Sequence, residues 1–143
     1  MKVEQITVFI ENRSGRLADV ATLLADAGVN IRATALADAA DFGILRLIVN
    51  DTEKANQVLK AHGFAVTKTH VVAVAVPDRP GGLAEILVAI RQAQLNVEYM
   101  YAFVHRQAAG ATILFRFDDI DQAVASLHKA RIRMLTGEEI YSI

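Results

Sequence analysis

The stretch "NRSGRLADVATLLADAGVNI", residues 12–31, decides the fold, because a second stretch 66 residues later repeats it as "DRPGGLAEILVAIRQAQLNV", residues 78–97. The pairs Arg13/Arg79, Gly15/Gly81, Leu17/Leu83, Ala18/Ala84, Ala27/Ala93 and Asn30/Asn96 are identical. Val20/Ile86, Leu24/Ile90 and Ile31/Val97 keep their apolar character. Self-similarity at a fixed offset marks a duplicated structural unit. With an offset of 68, "FGILRLIVND" (42–51) also lies over "GATILFRFDD" (110–119), the difference fitting a longer hairpin around "HRQAAG" (105–110). Two copies of one unit, 1–69 and 70–143, therefore account for the chain. No Gly/Ser-rich or charged linker separates them.

Each copy reads in the same order. "VEQITVFI" (3–10) alternates Ile6, Val8 and Ile10 on one face, as a strand does. Leu17, Val20, Ala21 and Leu24 follow at helical spacing, and Leu83, Ile86, Leu87 and Ile90 repeat them. Gly28 is placed to close the first helix. "VNIRATALA" (29–37) and "FGILRLIVN" (42–50) are two strands joined by "DAAD" (38–41). "DTEKANQVLKAHG" (51–63) is a second helix, with Asp51 or Thr52 at its start and Gly63 at its end. "FAVTKTHV" (64–71) is a fourth strand. The order βαββαβ, twice, predicts an α+β fold of two ferredoxin-like modules, with antiparallel sheets and helices on one face. Residues 64–77 must supply the last strand of one copy and the first of the next, so one long, bent strand serving both sheets is expected.

Composition bounds the chemistry. The 143 residues are 53% hydrophobic and 22% charged, which is globular. A net charge of −1 argues against nucleic-acid and anionic-membrane partners. The chain has no cysteine, which removes disulfides, thiolate catalysis and Cys-based metal sites. No apolar run approaches the ~20 residues of a membrane helix, and the N-terminal run has no signal-peptide pattern. A cytoplasmic protein is expected. Mean hydropathy is +0.29, and both faces of several strands look apolar: Phe9 opposes Ile6, Val8 and Ile10, while Ile44 and Ile48 oppose Leu45, Leu47 and Val49. Helices cover one face of a βαββαβ sheet, so the other awaits the second repeat or another subunit. A homo-oligomer, a dimer, is expected.

The glycine-bearing loops that open the first helix of each copy, "NRSGRL" (12–17) and "DRPGGL" (78–83), together with Asn30-Ile31 and Asn96-Val97 at the second strand, resemble the ACT domain. ACT domains are small βαββαβ modules that sense amino acids in regulated enzymes of amino-acid metabolism. The resemblance covers the whole chain and implies a stand-alone tandem ACT protein: regulatory, not enzymatic, without a cofactor, and with a free amino acid as effector. It also implies that an enzyme of amino-acid metabolism is a possible partner. The ligand of such modules lies where this loop meets the second strand of a neighbouring module. The candidate ligand-binding residues are accordingly Asn12, Arg13, Ser14, Gly15, Arg16, Leu17, Asn30 and Ile31 in the first copy. In the second they are Asp78, Arg79, Pro80, Gly81, Gly82, Leu83, Asn96 and Val97.

The loop chemistry suits an amino acid. A helix start offers free N–H groups and partial positive charge to a carboxylate. Gly81 and Gly82 remove side chains that block approach, and Pro80 stiffens the loop. Asp78 can pair with an ammonium and Asn12 can accept a hydrogen bond from one. Leu17 or Leu83 is placed to meet the ligand side chain. Asp78, Pro80 and Gly82 make the second copy the stronger candidate. The plainer alternative stays open: Asn12 and Asp78 as helix caps, and Gly and Pro as turn formers, in an interaction module with no small-molecule ligand.

Other constellations carry less. "DRPGG" matches neither phosphate-binding glycine pattern. His62, His70, His105 and His128 lack metal-ligand spacing. Ser14, Ser126 and Ser142 sit in no nucleophile motif. Asp118, Asp119 and Asp121 suit the positive end of a helix, and Asp38 and Asp41 flank a hairpin and read as solvated. Tyr99, Tyr101 and Phe103 alternate on one strand face. Because βαββαβ is also an RNA-binding topology, that stripe raises RNA as an alternative, which the charge and the incomplete motif in "DFGILRL" disfavour; core or interface packing is the role expected of the stripe.

Overall fold

The computed structural model describes residues 1–39, 41–103 and 110–142. Its elements run β1 (Val3–Glu11), α1 (Arg16–Asp26), β2 (Ile31–Ala39), β3 (Phe42–Val49), α2 (Thr52–Ala61), β4 (Ala65–Val76), α3 (Gly82–Gln92), β5 (Val97–Phe103), β6 (Ala111–Phe117), α4 (Ile120–Lys129), β7 (Met134–Leu135) and α5 (Gly137–Tyr141). The strand expected over 64–77 is a single one, β4. The hairpin connection expected at 105–110 lies outside the described residues except for Gly110. The two-residue β7 is the last strand expected of the second βαββαβ order, whereas α5 has no counterpart in the sequence reading.

The chain divides into two compact units, Glu4–Thr69 and Met1–Val3 with His70–Tyr141, so the division falls inside β4. In the first, the strand order is β2-β3-β1-β4, with β1 and β2 both antiparallel to β3. In the second it is β5-β6-β4-β7, with β6 antiparallel to both β5 and β4. Each is the ferredoxin-like order, with β4 acting as fourth strand of one unit and first strand of the other.

The cores follow the alternation. In the first unit, Ile6, Val8 and Ile10 of β1 and Leu45, Leu47 and Val49 of β3 form a buried cluster with Val20 and Leu24 of α1 and Ala55 and Leu59 of α2. The second unit repeats this with Val72, Val74 and Val76, Ile113, Phe115 and Phe117, Ile86 and Ile90, and Ala123 and Leu127. Phe115 and Phe117 stack with ring centroids 5.8 Å apart. The opposite strand faces are uneven: Ile48, Val71, Ala73 and Leu114 are buried, whereas Phe9 and Phe42, in edge-to-face contact at 6.0 Å, are exposed. Gln5 is fully buried there and donates to the hydroxyls of Thr7 and Thr69, each at 3.3 Å.

The helices end alike. After α1, Gly28 N–H donates to the Ala25 carbonyl and Val29 N–H to that of Leu24; Gly63 and Phe64 do the same for Lys60 and Leu59 after α2. Both glycines have positive φ, at 74° and 83°. This 6→1, 5→2 bonding is the Schellman closure expected of a helix-ending glycine. Helix starts come in two kinds. Asp51 and Asp119 cap α2 and α4 by accepting from Lys54 N–H and Gln122 N–H, both at 3.1 Å. α1 and α3 instead begin on left-handed glycines, Gly15 and Gly81, with no side-chain cap.

Candidate functional site

The absence of a side-chain cap on α1 leaves the first-turn N–H groups of that helix without a carboxylate or hydroxyl of their own. Asn12 stands three residues ahead of the N-cap and does not cap the helix; its N–H donates to the Asp41 carbonyl at 3.2 Å and ties the loop to the β2–β3 hairpin. Because β1 and β2 both run antiparallel to β3, their C-terminal ends lie together. The loop after β1, the end of β2 and the start of β3 form a half-open pocket of about 120 Å³ lined by Ile10, Glu11, Asn12, Arg13, Leu17, Leu36, Ala37, Asp38 and Gly43. It is small beside the ~300–1,000 Å³ of drug-sized sites.

Three candidates from the sequence, Asn12, Arg13 and Leu17, line this pocket. Leu36, Ala37, Asp38 and Gly43 also line it but were not among the candidates. The signal available for them was Gly43 itself, since a glycine inside a strand marks a close approach. Gly43 pairs with Ile10 of β1 and with Asp38 of β2. A Cβ on it would lie 3.2 Å from Leu36 Cδ1 and 3.3 Å from Ile10 Cγ1.

Ser14, Gly15 and Arg16 belong to the same loop without lining the pocket. Gly15 supplies the left-handed turn at φ 91°. Arg16 turns onto its own unit: its guanidinium lies 4.4 Å from the Phe64 ring centroid and pairs with Asp19 at 3.2 Å. Arg13 pairs with Glu11 at 3.1 Å, both side chains exposed. Ile31 begins β2 and Asn30 directly precedes it, so both lie at the far end from the pocket, Ile31 roughly 17 Å along the strand from Leu36 at ~3.3 Å per residue. Asn30 exchanges bonds with Asn50, its N–H donating to Oδ1 at 2.8 Å and its carbonyl accepting from the Asn50 N–H at 3.1 Å. Ile31 packs against the core.

In the second unit Asp78, Arg79, Pro80 and Gly81 are exposed, and Arg79 pairs with Glu85 at 2.9 Å. Asp78, like Asn12, does not cap its helix, which opens on Gly81. Gly82 differs from the expectation of a residue cleared for ligand approach. It is buried, and a Cβ there would sit 2.0 Å from the Pro77 carbonyl oxygen, so its missing side chain is taken up by the loop's own backbone. Arg16 holds the equivalent place in the first loop, whose turn is more open: Arg16 N–H to the Arg13 carbonyl is 3.4 Å, against 3.0 Å for Gly82 to Arg79. Leu83 and Val97 pack against the second core, and Asn96 precedes β5 at the end away from the Asp78 loop. The β5–β6 connection, counterpart of the hairpin that walls the first pocket, falls within 104–109 and outside the described residues.

Among the described residues no three His, Cys, Asp or Glu side chains gather to hold a metal ion, and no helix is long and apolar enough to cross a membrane.

The chain matches a family model described as an ACT domain pair across residues 1–143. Among solved structures, protein BT0572 from Bacteroides thetaiotaomicron is 36% identical with a TM-score of 0.92, the match covering 100% of this chain and 98% of that one. The regulatory subunit of aspartate kinase from Thermus thermophilus, in a ligand-free form, has a TM-score of 0.61 at 16% identity over 89% of this chain and 91% of its own. Aspartate kinase from Clostridium acetobutylicum has a TM-score of 0.56 at 15% identity, over 90% of this chain and 32% of that one. These last two show a shared fold. No curated protein sequence matches. With the duplicated βαββαβ order, the strand order of each unit and a family match over its whole length, the chain belongs to the ACT domain pair family.

Proposed function

We propose that this protein is a non-enzymatic regulatory module that binds a free amino acid at its β1–α1 loop. The observation that carries the reading is the pocket lined by Asn12, Arg13 and Leu17 beside the uncapped start of α1. A zwitterion suits it. The helix start attracts a carboxylate, Leu17, Leu36 and Ala37 offer apolar contact, and carboxylates stand at the rim. The fold's occurrence in a regulatory subunit of aspartate kinase agrees with such a role. The ligand acts by differential affinity: it favours one arrangement of the modules, within a homodimer, and a partner enzyme of amino-acid metabolism reads the shift.

A thermal-shift screen of the twenty amino acids tests this. A ligand at a hundred times its Kd adds about 2.7 kcal/mol to native-state stability. For a chain of this size that raises Tm by roughly 10 °C. No shift with any amino acid at millimolar concentration overturns the proposal. That result would favour the second reading, a protein-interaction module, for which the exposed apolar side chains Phe9, Phe42 and Leu36 speak. Sedimentation of the purified protein checks the homodimer; a monomer at micromolar concentration removes that part.

A further inference from the structure

The outer edge of β2 matches a second copy of itself. In the first unit β2 ends the strand order and, among the described residues, pairs only with β3. Its other edge presents a row of backbone N–H and C=O groups that a further strand can take up. The nine residues Ile31–Ala39 contain no proline and no lysine, and their midpoint is Ala35. Arg32 and Asp38 are the only charged residues in the strand, and each stands three places from that midpoint, on opposite sides. Between them Ala33–Ala37 pair with β3 in unbroken register; the shift between Ile31 and Ala33 leaves Arg32 just at the end of that run. Thr34, Leu36 and Ala37 are exposed, Leu36 by 55%.

Resting on the reading of the protein as a homodimer, we infer that a second copy docks on β2 edge to edge, antiparallel and centred on Ala35. A two-fold axis makes the contact isologous, so each cross-copy pairing occurs twice. This register uses the whole strand. It sets Ala33 against Ala37 and Thr34 against Leu36, and it brings Arg32 of each copy to Asp38 of the other. Centring the axis one residue either way loses that match, placing Asp38 opposite Thr34 or Arg32 opposite Leu36. A bulge and a charge are also means of keeping edges apart. Such a guard repels its own copy, whereas opposite charges in mirrored places attract it. The edge strand of the second unit, β5, lacks this symmetry: about its midpoint Met100, Glu98 falls opposite Ala102. Pairing β2 with β5 in the register of the repeat, Ala35 opposite Tyr101, sets Glu98 against Asp38.

Sedimentation equilibrium of the full chain tests this with the wild type, Arg32→Asp, Asp38→Arg and the two reversals combined. The wild type is expected to dimerise, more weakly as salt rises. Each single reversal sets like charges together at both ends of the join and should weaken dimerisation roughly tenfold or more. The combined reversal restores opposite charges and should return the dimerisation constant to within about threefold of the wild type. Amide hydrogen exchange of the wild type gives a check free of any substitution: β2 amides should slow as protein concentration rises through the dimerisation range. A dimer whose single reversals match the wild type overturns this surface while the homodimer stands. A combined reversal as weak as the single ones overturns the pairing of Arg32 with Asp38. Unchanged exchange along β2 across that range overturns the edge contact. A wild type that stays monomeric overturns the homodimer itself, and this surface with it.

Discussion

Gln94 and Arg131 hold left-handed backbone conformations, at φ 57° and 59°, in the places where the first repeat has Gly28 and Gly63. The bonding around them is the same: Leu95 N–H reaches the Ile90 carbonyl at 3.1 Å, and Ile132 N–H reaches that of Leu127 at 3.0 Å. The second repeat therefore keeps the Schellman closure with residues whose Cβ crowds the following carbonyl, at a cost of about 1–2 kcal/mol each. Part of that cost is offset because a side chain also restricts the unfolded chain. Gln94→Gly is expected to raise stability by up to about 1 kcal/mol, read as an increased urea midpoint with unchanged slope; a lowered midpoint contradicts it. The residue scale is also where sequence legibility divides. Gly28 and Gly63 announce their helix ends because glycine is the residue such a turn favours. Gln94 and Arg131 announce nothing, and only their alignment with glycines reveals the same turn. Likewise Asn12 and Asp78 read as caps, but the left-handed glycines three residues later take that position.

At the scale of the element, α5 shows how a short helix is held. Thr136 N–H donates to Glu139 Oε2 at 2.7 Å, and Glu139 N–H donates to Thr136 Oγ1 at 3.2 Å, a reciprocal capping box. The Thr136 backbone bond holds the Glu139 carboxyl below its usual value of 4.5, with smaller help from the Thr136 hydroxyl and Arg133. A depressed carboxyl pKa means the cap's contribution is complete above the unfolded-state value and is lost as pH falls through the folded one. Carboxyl NMR titration should give a midpoint below 4.5 for Glu139, and Thr136→Ala should retain most of that depression because the main donor is backbone. A midpoint at or above 4.5 in the wild type contradicts the assignment. Elements of this length evade sequence reading: five residues give no periodicity to count. The pocket eludes it for another reason. The repeat and the apolar spacing make β1, α1, β2 and β3 legible. That Asp38 and Gly43 meet the Glu11–Arg13 loop follows from register, with Ile10 opposite Gly43 and Gly43 opposite Asp38, which local pattern does not carry.

For the whole molecule, the duplication is readable end to end. The sequence makes plain that residues 64–77 are asked to serve twice, and β4 does so as one strand from Ala65 to Val76. Val66 belongs to the first core, and Val72, Val74 and Val76 to the second. Two repeats joined by a linker are free to accumulate insertions and deletions independently at the seam. Here the seam is a strand that both copies use: Ala65–Thr69 closes the first and His70–Val76 opens the second, so the joint cannot be lengthened or lost without touching the sheet of one copy or the other.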